Sequence, residues 1–99
     1  MPDLSLRDAA IIVDTALERG RALGLAPLTV VAARSPQFFA ALGELAQGRM
    51  VPAAGGVLIR SSEGVILGAV GISGDASEKD EDCAVHGIKA AGLTPDTGD

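Results

Sequence analysis

At 99 residues the chain has room for one small domain and none for separate cofactor and substrate domains. Its apolar 47% includes only two aromatics, Phe38 and Phe39, so a core of Ala, Val, Ile, Leu and Gly leaves a lone monomer marginal and makes a homo-oligomer the expectation. A net charge of −5, with 8 acidic and 2 basic groups in residues 61–99, excludes nucleic acid and an anionic membrane surface as expected partners.

The first expected element is an amphipathic helix over 6–23. Ser5 is a natural N-cap with Asp8 three residues on, and Leu6, Ala9, Ile12, Val13, Ala16, Leu17, Gly20 and Leu23 share one face. Gly24 and Pro27 stop it. Leu28–Val31 reads as a short strand of branched residues. Ser35-Pro36 then starts a helix over about 36–47, because Ser caps and Pro needs no N–H at the first helical position. A loop over 49–56 carries Pro52 and the pair Gly55-Gly56.

Two strands, 57–60 and 65–72, are joined by a hairpin turn over 61–64 ending in Gly64. Their apolar runs do not alternate, which predicts cover on both faces. Gly68 and Gly71 within the second strand predict a bulge or a close backbone approach. The last helix is expected over 78–91 with Ser77 as N-cap, followed by a polar, frayed tail over 94–99. The single thiol, Cys83, and an N-terminus without a basic region and apolar stretch are consistent with a cytoplasmic protein.

The junction Gly71–Ser77 runs from strand to helix, and amides at a helix N-terminus can hold a carboxylate or phosphate. Gly55-Gly56 offers a second stretch of bare backbone. The two line one small pocket if pairing brings them to the same end of the sheet; otherwise both are ordinary turns. The acidic run Asp75, Glu78, Asp80, Glu81, Asp82 lacks the ligand ladder of a calcium loop and complements a helix dipole, so no metal site is expected there. Asp80 falls on the apolar side of its helix, where it either bonds the 73–77 turn or faces a ligand. His86, the one histidine, shares a polar face with Asp82 and Lys89, and Cys83 reads as a small core residue. No Ser/His/Asp order, CxxC or P-loop is present, and no catalytic residue is assigned.

Two stretches carry a family resemblance. Residues 49–59, Arg49-Met50-Val51-Pro52-Ala53-Ala54-Gly55-Gly56-Val57-Leu58-Ile59, resemble the "G-R-x-V-P-x-x-G-G-x-P-I" segment of the GlcG/HbpS-like, or haem-degrading domain, family. The first segment departs only at Leu58, where the family usually has Pro; Gly68-Ala69-Val70-Gly71-Ile72-Ser73-Gly74, followed by Asp80-Glu81-Asp82-Cys83-Ala84-Val85-His86-Gly87, is similar to the family's "G-x-[IV]-G-[VI]-S-G … D-E-x-C-A-x-x-G" signature. The resemblance covers most of the chain. It implies a single α/β (α+β) domain over 1–93 with an antiparallel central sheet flanked by helices, assembled into oligomers. Its implied cofactor is haem.

One departure stands out. In the family the strand equivalent to Leu28–Val31 continues through a hairpin and a helix before the Ser-Pro segment, whereas here Val31 runs straight into Ala32-Ala33-Arg34-Ser35. About 40 residues are missing against a typical member of one-domain size. Either the chain carries an internal deletion or the sequence joins two segments across a gap; a real deletion opens a sheet edge.

The resemblance and the glycine sites together give a binding protein for haem or a related planar anion. Its candidate ligand residues are Arg49 as countercharge, Gly55, Gly56, Ser73, Gly74 and Asp80, with no iron ligand assigned. The alternatives are an enzyme or accessory factor acting on a small carboxylate, with Asp80 as acid/base, and an oligomeric scaffold without its own ligand.

Overall fold

A computed structural model describes residues 4–35 and 56–98. The expected helix over 36–47, the loop through Pro52, and the candidates Arg49 and Gly55 lie outside the described residues. Helix α1 (Leu6–Ala22) starts where the Ser5 hydroxyl accepts the Asp8 N–H at 3.0 Å. It stops at the Leu23 C-cap, with Gly24 at φ +70° just beyond. Its buried stripe is Ala9, Ile12, Ala16 and Gly20.

Strand β1 (Thr29–Ala33) passes through the Val31–Ala32 junction without a break, pairing residue for residue with β3. Strands β2 (Gly56–Arg60) and β3 (Ile66–Ser73) form the expected antiparallel hairpin. Leu67, Gly68, Ala69 and Val70 are all buried, as the lack of alternation predicts. The register slips between Ile59 and Arg60, beside Gly68, and a Cβ at Gly68 would lie 2.1 Å from the Ala33 carbonyl oxygen. Only glycine lets β1 and β3 approach that closely.

Two expectations need correction. Helix α2 (Ser77–Ala90) is capped by Ala76 rather than Ser77, with no side-chain cap bond. The amides just ahead of the helix are taken by carboxylates instead: Ala76 N–H by Asp75 at 2.7 Å and Asp75 N–H by Asp80 at 3.3 Å. The polar end of the chain also does not fray at once. Thr94–Asp96 forms β4, antiparallel to β2, and Arg60 Nε donates to the Asp96 carboxylate at 2.7 Å. That bond holds the Asp96 carboxyl below its usual range.

The sheet order is β1-β3-β2-β4 and both helices pack on one face, α1 over β1 and α2 over β3, β2 and β4. Between the layers lie Ile12, Ala16, Val57, Ile59, Val70, Ile72, Cys83, Ala84 and Ile88, all buried. The helices touch through bare backbone, since a Cβ at Gly87 would sit 2.5 Å from the Ile12 carbonyl oxygen.

Candidate functional site

Side chains alternate along a strand, so the residues between the core positions face away from the helices. Register arranges them in rows. Gly71 stands between Val31 of β1 and Gly56 of β2, and Ala69 stands between Ala33 and Leu58. Ser73 pairs with Thr29 at the open end. The three strands make a floor about 10 Å wide that is glycine or alanine at four of these positions. Ala33 and Ala69 are buried, whereas Val31, Gly56, Leu58 and Gly71 are half-exposed and Thr29, Ser73 and Gly74 are exposed.

Pairing therefore does bring Gly56 to the same end of the sheet as Ser73 and Gly74. In the sequence Gly71 stands out as an interruption of its strand and as the start of the Gly71–Ser77 junction, whereas nothing local marks Val31, Leu58 or Ala69. The spacing Ala69-Gly71-Ser73, small residues at every second position, is the signal that marks this face.

The turn at Ser73–Ala76 is held from behind. Asp75 accepts the Ala26 N–H at 2.9 Å, tying the turn to the segment that leads into β1. Gly74, at φ +139°, sits so close to Pro27 and Leu28 that a Cβ would lie 2.4 Å from the Pro27 carbonyl oxygen. The two backbone bonds to Asp75 keep its carboxyl below the usual aspartate range.

Asp80 is 3% exposed and sits within the helix layer, its carboxylate bonded to the Asp75 N–H. Of its two expected roles, the structure shows the bond to the turn. Burial pushes its carboxyl above the ordinary range, opposed in part by that bond. A raised carboxyl in the folded state works against stability at neutral pH, and the effect disappears as pH falls through the folded value and on to the unfolded 3.8. Asp80→Asn keeps an acceptor oxygen and removes the charge. The variant should be at least as stable as the parent at pH 7, with the difference shrinking on acidification; chemical denaturation at a series of pH values reads it.

The Asp82 carboxylate accepts from Arg19 Nε at 3.0 Å, linking α2 to α1. His86 is exposed on the helix layer, on the far side of the molecule from the floor. Cys83 is fully buried, and burial followed by the Asp82 and Asp80 charges pushes its thiol up, so it packs as a neutral core group. Among the described residues, no three His, Cys, Asp or Glu side chains gather as a metal site. No helix among them is long and apolar enough to cross a membrane.

The model of the HbpS-like haem-degrading protein family matches residues 22–89. The chain belongs to the HbpS-like family. Its fold is similar to that of a solved structure described as the crystal structure of a PduOC:heme complex. The two are 22% identical, at a TM-score of 0.69, over 91% of this chain and 96% of that one. No curated protein matches the sequence. The expected antiparallel sheet with helices is thus the observed HbpS-like fold, in a two-layer form among the described residues.

Proposed function

We propose that this HbpS-like protein binds haem, or a related planar anion, against the outer face of β1, β3 and β2. The observation that carries the reading is the row Val31–Gly71–Gly56, with Leu58 beside it. Two glycines remove the side chains that would lift a flat ligand off the sheet, and the flanking Val and Leu supply apolar contact. The exposed Ser73 hydroxyl and Gly74 backbone offer donors to carboxylates at the rim.

The fit is to the macrocycle and its anionic edge, not to the iron. Thr29, Val31, Ala33, Gly56, Leu58, Ala69, Gly71 and Ser73 include no iron-ligating histidine, cysteine or methionine, and His86 lies across the molecule. Bound haem supplies a redox-active iron that can take up oxygen. The chain supplies a floor, donors and exclusion of water from one side of the ring. In this reading Asp80 positions the Ser73–Ala76 turn through Asp75 and does not touch the ligand. The single buried thiol fits a reducing compartment, and we place the protein in the cytoplasm.

Titrating the full chain with haem tests the reading. A shifted Soret band saturating at micromolar haem is expected; a spectrum equal to that of free haem rejects it.

A further inference from the structure

We infer that β1 is a dimerisation strand, pairing antiparallel with β1 of a second copy about a twofold axis at Val31. The inference stands independently of the ligand. β1 lies at one end of the sheet order, so among the described residues its outer edge pairs with no strand. Free strand edges are normally blunted by charge, proline, a bulge or short length. Thr29-Val30-Val31-Ala32-Ala33 has none of these: it is five residues of even register, uncharged and β-branched at three positions. The nearest charge, Arg34, is turned back onto the Leu4 carbonyl at 2.9 Å.

The opposite edge differs at each point. β4 is three residues long, contains Pro95, and its Asp96 carboxylate is engaged by Arg60. A head-to-tail join of β1 to β4 is therefore poorly matched, and a twofold join of β1 to itself is the closed solution.

An antiparallel pair centred on Val31 sets Val30 opposite Ala32 on the core side. On the floor side it sets Thr29 opposite Ala33 and Val31 opposite Val31. The two four-stranded sheets become one of eight strands, and the two floors become continuous. The helix layer supports the same axis. α1 lies over β1, and the short connection at 23–28 returns the chain beside it, so the twofold sets the two α1 helices antiparallel at the seam. Leu6 and Leu23, at opposite ends of α1, are 68% and 45% exposed, and they are two of the three exposed large hydrophobics among the described residues. The axis places Leu6 of one copy towards Leu23 of the other, adding apolar contact to five rungs of backbone pairing that alone make a small interface.

Sedimentation of the full chain over a range of concentrations, with Val31→Lys and Val31→Glu variants beside it, tests the proposal. Val31 faces its own copy, so each variant sets like charges directly opposite and should weaken dimerisation by about tenfold. An equimolar mixture sets Lys against Glu and should restore the dimer. Circular dichroism checks that each variant is folded. If either is not, Val31→Cys takes its place and should form a disulfide-linked dimer under mild oxidation, since facing Cα atoms lie within bridging distance. A parent chain that stays monomeric, folded charge variants that still dimerise, a mixture that gains nothing, or an unlinked Val31→Cys chain each overturn the proposal.

Discussion

Truncating Ile12 to alanine is expected to lower stability by about 4 kcal/mol, towards the upper end of the range for such changes. Ile12 is fully buried between α1 and α2. A cavity costs less when its walls can close in, and here they cannot. The Gly87 backbone already stands against the Ile12 carbonyl, so the helices have no room to move together. In a small domain with a total stability of about 5–15 kcal/mol, the loss should bring the melting temperature down by roughly 15–25 °C. Gly87→Ala probes the same contact with the opposite naive sign. Helix propensity alone favours alanine by about 1 kcal/mol, yet the added methyl meets a backbone oxygen, so the variant should be less stable than the parent. Thermal melts of both read the outcome; a stabilised Gly87→Ala would show that the helices are not in backbone contact.

What was legible in the sequence was local. The Ser5 cap and the Gly24 stop each depend on residues within a turn or two, and the structure has both; of the expected apolar face Ala9, Ile12, Ala16 and Gly20 are buried, while Leu6 and Leu23 at its ends are exposed. The burial of β3 on both faces was legible for the same reason, as a run of apolar residues without alternation. β4 was not. Thr94-Pro95-Asp96 carries a proline and two polar residues, which reads as a tail, and it is a strand only because an edge tolerates proline and Arg60 reaches Asp96 from 36 residues away. The start of α2 was misplaced for a related reason. Ser77 is a good cap by type, but Asp75 and Asp80 organise the turn, and Asp75 does so partly through Ala26, 49 residues back.

The candidate site divides in the same way. Gly56, Ser73 and Gly74 stand out in the sequence as turn residues. That Gly56 lies across from Gly71, with Val31 on the other side, is a property of register, which no local pattern supplies. An acid on an apolar helix face needs a donor, so Asp80 is legible in the sequence as a group that bonds the 73–77 turn or faces a ligand. The structure has the first of these, with the Asp75 amide as donor.

The floor gives the second large expected effect. Gly71→Val puts a branched side chain at the middle of the row, flanked by Gly56 and Val31. Valine suits a strand, so the fold should persist and the change should act on the ligand. A ligand lying flat on Gly71 has to lift by about the height of the added side chain, which forfeits dispersion contact over the ring and should weaken binding by at least about tenfold. The same substitution leaves Ser73 and Gly74 in place, so a ligand held at the rim alone would not notice it.

The most direct measurement is a Soret titration of the parent chain and Gly71→Val side by side, with circular dichroism confirming both folds. Saturable haem binding at micromolar ligand is expected of the parent, and its loss, or at least about a tenfold weakening, of the variant. No binding by the parent, or equal binding by a folded Gly71→Val chain, would contradict it.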